Sequence, residues 1–239
     1  MNTATTLALA LLLDGAFGEP RWLWSSLRHP AVVMGDAIGW ADRTFNRGDR
    51  RRLRGALTFA ALAVAGLVLG AIPGQFPGRW IVELVFAAVL LAQRSLADHV
   101  RQVADALRLS DGDGRRAVAR IVGRDTAAMD RPAIGRAAIE SAAENFSDAV
   151  VAPAFWFLVA GLPGLLLYKL TNTADSMIGY RTPRHADFGW AAARFDDLLN
   201  WVPARLTAVL IAAIHGVLSD WQGIRRDDGL HRLPNAGWP

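Results

Sequence analysis

Ile139-Glu-Ser-Ala-Ala-Glu-Asn-Phe-Ser-Asp148, Tyr168-Lys-Leu-Thr-Asn-Thr-Ala-Asp-Ser-Met177 and Phe188-Gly-Trp-Ala-Ala-Ala-Arg-Phe-Asp-Asp-Leu-Leu-Asn-Trp-Val-Pro-Ala-Arg205 are three polar blocks gathered around one apolar run, residues 150–170. The run is long enough to span a bilayer once, which takes about 20 residues. Gly161-Leu-Pro-Gly164 lies near its middle, however, and proline with glycine breaks a helix. The sequence therefore predicts a re-entrant helical hairpin with arms at 151–160 and 165–179. Broken segments are tolerated at membrane depth only where protein or a cavity surrounds them. A hairpin returns the chain to the side it came from, so residues 140–148 and 172–205 share one face. A single span would separate them.

Composition supports a membrane setting. The 239 residues are 52% hydrophobic, with a mean hydropathy of +0.21. That is too apolar for an ordinary soluble domain. The formal charge is +4, and Lys169 is the one lysine among 26 basic residues. In a membrane protein, arginine-rich loops set topology and do not signal nucleic-acid binding. The absence of cysteine excludes disulfides, thiolate catalysis and cysteine-ligated metals. No cleavable signal peptide is expected, because no basic region precedes the apolar run 4–13 and no small-residue cleavage site follows it.

Outward from the centre, the expected membrane segments are 4–17, 55–74, 80–96 and 202–218. The first is short, about 21 Å as a helix, and contains Asp14. Residues 55–74 carry no charge. The turn Pro73-Gly-Gln-Phe-Pro-Gly78 makes a hairpin of 55–74 with 80–96. Residues 32–45 form a short amphipathic stretch, and Arg47, Arg50, Arg51, Arg52 and Arg54 mark the following loop as cytoplasmic. Residues 97–149 read as a cytoplasmic helical insertion. In it Leu96, Val100, Val103 and Leu107 recur at helical spacing. Asp111-Gly-Asp-Gly114 is expected to break that helix, a second is expected over 115–122, and Asp130 with Pro132 opens a third. The fold class is all-α: a polytopic integral membrane protein with a helical insertion and a re-entrant hairpin. Arg225, Arg226 and Arg232 make the tail basic, which conflicts with the positive-inside rule if 202–218 crosses outward.

The candidate site follows from the polar blocks. Glu140, Glu144 and Asp148 fall at i, i+4, i+8, on one helix face. Three acids in a row repel unless a cation joins them, and the spacing suits magnesium held by a few carboxylates and substrate phosphates. It suits equally a solvated acidic face paired to Arg136. Lys169, Asn172, Asp175 and Ser176 follow on the hairpin's second arm. A lysine and a hydroxyl there can hold phosphate oxygens, or the lysine can simply snorkel to the interface. Arg194, Asp197, Asn200 and Arg205 form another polar face, which also fits structural ion pairs. No histidine pair stands at ligand spacing, and no Walker, dinucleotide-binding or nucleophile-elbow motif occurs.

Three quoted runs carry a family resemblance. Glu140-Ser-Ala-Ala-Glu-Asn-Phe-Ser-Asp-Ala-Val-Val-Ala-Pro153 is similar to the pattern E-S-x-x-E-N-x-S-D-x-x-x-A-P, and residues 161–180 and 187–205 match equally long runs. Asp14, Gly18-Glu-Pro20 and His29-Pro30 agree as well. Together they resemble the CobD/CbiB family of cobalamin biosynthesis, adenosylcobinamide-phosphate synthase, over essentially the whole chain. The resemblance implies ATP-dependent amide formation between aminopropanol, or its phosphate, and a propionate of adenosylcobyric acid. It also implies magnesium and a bacterial inner-membrane protein whose site faces the cytoplasm. On that basis Glu140, Glu144 and Asp148 go to the metal, Lys169, Arg194 and Arg205 to phosphate or substrate carboxylate, and Ser176, Asp197 and Asn200 to the substrate-binding set with them. Asn145, Asn172, Asp175 and Asn200 orient them. Glu19 stands where the family has aspartate, and family members continue beyond Pro239 with another membrane segment. The alternatives from other classes are a corrinoid carrier, which predicts polar residues inside the spans, and an AmpE-like regulator, which predicts no ATP turnover.

Overall fold

In a computed structural model the chain is all-helical over the described residues, 1–123 and 125–216. The basic tail and the end of segment 202–218 lie outside them. The helices are α1 (Thr3–Phe17), α2 (Arg21–Trp24), α3 (Pro30–Phe45), α4 (Arg51–Ala71), α5 (Arg79–Leu90), α6 (Gln93–Leu109), α7 (Asp111–Val118), α8 (Arg131–Phe146), α9 (Ala152–Ile178) and α10 (Trp190–Ile214). Four helical stretches, at 51–75, 79–109, 131–178 and 190–214, are long and apolar enough to cross a membrane. The chain is an all-α integral membrane protein.

The distribution of size across α4 fits a lipid solvent. Its buried positions are Gly55, Phe59, Gly66 and Gly70, whereas Leu57, Val64, Val68 and Leu69 point outward. Small residues let backbones approach where lipid removes the usual drive to bury large ones. A Cβ at Gly70 would stand 2.5 Å from Pro163 Cα, so α4 meets α9 nearly backbone to backbone there.

α9 is two helices. Gly161 has φ 64° and ψ −152°, a region open essentially to glycine alone. The chain doubles back on it. A Cβ on Gly164 would lie 2.4 Å from the Trp156 carbonyl oxygen, although eight residues of straight helix would separate the two by about 12 Å. Phe157 and Leu165 accordingly share one buried cluster. The break is confined to Gly161, and helix resumes at Leu162, earlier than the expected 165.

The segment expected at 80–96 is interrupted. α5 stops at Leu90, Leu91 is extended, and α6 starts at Gln93. Neither glycine nor proline causes this. Buried Asp14 reaches from α1 to the start of α6, where its Oδ2 accepts the Gln93 amide at 2.8 Å and meets the Arg94 amide. The unpaired amides of a helix N-terminus favour such an anion. The Gln93 side chain donates to the Leu11 carbonyl, and the Ala92 amide donates to the Ala149 carbonyl at 3.2 Å.

α6, α7 and α8 pack around Val103, Val118, Ile134, Ala137 and Ala138. The expected break is present, since α6 ends at Leu109, but Asp111-Gly-Asp-Gly114 is not a loop: it opens the next helix. Ser110 is extended and caps α7, its Oγ accepting the Asp113 amide at 3.0 Å. The expected helix at 115–122 therefore runs Asp111–Val118. Asp130 caps α8 through the Ala133 amide at 2.8 Å, with Pro132 in the first turn, as the sequence predicts.

Candidate functional site

α8 runs into α9 through a π-helical segment, Ser147–Val151, in which the Ala152 amide donates to the Ser147 carbonyl. Such segments insert one residue into an α-helix and recur at functional sites. Asp148 lies inside it, half-buried, and no sequence signal announces the insertion. Asp148 is within electrostatic reach of Glu144, Asp175 and Lys169. Lys169 also bears on Glu19, and Asp196 on Asp175, Asp148 and Asp197. Glu144 of α8, Lys169 and Asp175 of α9 and Asp196 of α10 thus gather around Asp148 of the π segment, with Glu19 after α1 on the far side of the lysine. Asn172 and Ser176 lie on the same helix within a turn of Asp175.

A hydrogen-bond relay stands behind this group. Fully buried Tyr168 donates its hydroxyl to Asn200 Oδ1 at 2.9 Å, and Asn200 Nδ2 donates to Asp196 Oδ2 at 2.9 Å. Trp156 Nε1 donates to the Leu199 carbonyl at 3.1 Å, pinning α10 to the hairpin's first arm. Tyr168 and Asp196 are absent from the candidates read from sequence. Tyr168 sits in an apolar run and reads as core. Asp196 adjoins Asp197 in sequence, and only the phase of α10 shows which of them is buried: Asp196 is 9% exposed, whereas Asp197 is an exposed partner of Arg194 at 3.6 Å.

Glu144 borders this group from the exposed face of α8, and Glu140 is exposed a turn before it. Other predicted residues lie elsewhere. Asn145 Nδ2 donates to the Ser141 carbonyl at 2.8 Å, and the Ser141 hydroxyl donates to the Ile121 carbonyl at 2.5 Å. Asn145 therefore borders a separate cleft of about 490 Å³ between α6 and α8, lined also by Ser95, His99 and Arg120. Neighbouring helix positions do not face the same way. Arg205 lies over the Trp201 ring at 4.2 Å and donates to the Trp201 carbonyl, on the exposed side of α10. Among the described residues, no three His, Asp or Glu side chains are arranged to hold a metal ion by themselves.

The connection between α9 and α10 is clamped to α3 and α4. Asp42 accepts Arg184 Nη2 at 2.6 Å, Arg184 Nε at 3.2 Å and Asn46 Nδ2 at 2.7 Å, and His185 Nε2 stands 3.5 Å away. Arg51 donates to the Pro183 carbonyl at 3.2 Å. Burial pushes the Asp42 carboxyl up, but its hydrogen bonds from Arg184 and Asn46 outweigh that and hold it below its ordinary value. The clamp sets where α10 begins, and so where Asp196 falls.

A family model described as CobD/Cbib protein matches residues 7–239. Proteins named "Cobalamin biosynthesis protein CobD" are similar along nearly the whole chain. That of Sinorhizobium fredii is 50% identical over 98% of this chain and 76% of its own length. The Brucella suis relative is 51% identical with the same coverage, and the Rhodobacter capsulatus relative is 44% identical over 100% of this chain and 78% of its own. No solved structure matches.

Proposed function

The chain belongs to the CobD/CbiB family, and from that premise we propose that it acts in cobalamin biosynthesis as an ATP-dependent acid–amine ligase. It joins 1-amino-2-propanol, or its phosphate, to a propionate of adenosylcobyric acid, working in the bacterial inner membrane with its site open to the cytoplasm. The observation that carries the reading is the grouping of Glu144, Lys169, Asp175 and Asp196, from three successive helices, around Asp148 in a chain of membrane-spanning helices. Ionisable groups there are costly and mark function by default.

The chemistry asks for two steps. A propionate oxygen attacks the terminal phosphorus of ATP, giving an acyl phosphate and ADP. The amine nitrogen then attacks the acyl carbon, the bond to the phosphate oxygen breaks, and phosphate and a proton leave. Both steps shed or gather negative charge that fixed cations stabilise. Lys169 would hold phosphate oxygens. Magnesium would arrive with the nucleotide. Glu144 and Asp148, with Glu140 a turn away, fit a metal that takes one or two carboxylates and completes its shell with phosphates and water.

The test is conversion by the protein purified in detergent, given ATP, adenosylcobyric acid and either amine, with products read by mass. Expected are adenosylcobinamide or its phosphate, with one ADP per amide bond. A folded protein that forms no amide and turns over no ATP would return the chain to the carrier or regulator readings.

A further inference from the structure

Asp196 is a buried carboxylate with one oxygen partnered and the other not. Oδ2 accepts from Asn200, which Tyr168 holds in turn, so the relay fixes the carboxylate from behind. Oδ1 is buried and has no hydrogen-bond partner. The charges that bear on it are Asp175, Asp148 and Asp197, all negative. A buried carboxylate in an acidic wall is costly unless a proton or a cation completes it.

The kind of cation can be decided. A divalent metal held by the protein alone needs several oxygens converging at about 2.0–2.6 Å, and among the described residues no acids are so arranged. An organic ammonium carries three donors on a larger, softer group and accepts acids that stand further apart. Lys169, the internal ammonium of the group, lies within electrostatic reach of Asp148 and Glu19, and the charges that bear most on Asp196 do not include it. We infer that Asp196, backed by Asn200 and Tyr168, seats the ammonium group of the amino-alcohol substrate, with Asp175 sharing its charge. The inference rests on the ligase reading for the identity of the amine, but not for the presence of a cation seat.

Thermal unfolding of the full chain in detergent, with no ATP or corrinoid present, separates the two. 1-Amino-2-propanol should raise Tm, whereas propane-1,2-diol, of the same size without the charge, should not. Asp196→Asn, which keeps an acceptor for Asn200, should abolish the amine-dependent rise. In turnover it should raise KM for the amine by about 10–100-fold, the range expected for losing a charged hydrogen bond, and leave KM for ATP unchanged. Should Asp196→Asn fail to fold, Asp175→Asn carries the same comparison and the same expectation. Equal stabilisation by the diol, an amine effect that survives the substitution, or an Asp196-dependent rise with magnesium alone would overturn the assignment. An intact, charge-selective amine effect in a protein without ligase activity would remove the ligase reading and leave the seat standing.

Discussion

At the scale of single residues, charge placement decides what each acid is for. Glu144 is exposed beside Asp148, so a cation bound there sits between water and protein. Glu144→Gln keeps volume and removes the charge. Turnover should fall about 10²–10³-fold, the usual cost of losing one well-placed electrostatic group, and added magnesium should restore part of it. Glu83→Gln, beside Arg79 on α5, should leave turnover unchanged in the same assay. Asp42 is a different kind of acid. Its folded carboxyl titrates below the ordinary value, near 3.9. Its contribution is therefore complete above that value and is lost as pH falls through the lower folded one. Asp42→Asn should lower Tm at pH 7, and the gap from wild type should close in acid below about pH 3.9. A gap that persists unchanged at low pH would mean the Arg184 contact contributes nothing through charge.

At the scale of elements, legibility depended on whether the cause lay nearby in sequence. The hairpin was readable because Gly161 and Pro163 act locally, and α8 because Asp130 is a cap with a proline in the first turn. The break between α5 and α6 was not, since the acceptor that stabilises it, Asp14, sits 79 residues away. Asp111-Gly-Asp-Gly114 marked the break after α6 but hid the start of α7, because a capping serine outweighs two glycines when the first turn is acidic. The hairpin also makes a sharp demand. At Gly164 an added methyl meets the Trp156 backbone at 2.4 Å, whereas at Gly74 it meets nothing within 4 Å. Gly164→Ala should cost stability at or above the overpacking range of about 1–3 kcal/mol, and Gly74→Ala should cost little. Paired thermal unfolding in detergent gives the comparison. Equal Tm values would show that the two arms separate easily.

At the scale of the whole molecule, the doubled-back α9 decides which side each polar block faces. With the chain reversed at Gly161, α8 and the loop before α10 share a face. The protein has no cysteine, so single cysteines report position cleanly. Ala143→Cys and Ala186→Cys should both react with an impermeant maleimide only in vesicles that expose the cytoplasmic side. Labelling from opposite sides would dismantle the hairpin reading and the site with it. The polar blocks on which the resemblance rests supplied most of the acids of the site. Tyr168, Asp196 and the Asp42 clamp needed coordinates, because burial and phase, not residue type, distinguish them from their neighbours.

The π segment at Ser147–Val151 places one residue more between α8 and α9 than a continuous α-helix would hold. Each residue of an α-helix turns the chain by about 100°. The three-helix unit upstream and the membrane core downstream are thus set in phase by a single residue. Chain length at this point is as tightly constrained as residue identity at the acids. Loss of one codon between positions 147 and 151 would leave composition and hydropathy nearly untouched, and would swing Glu144 a quarter-turn and more away from Lys169 and Asp175.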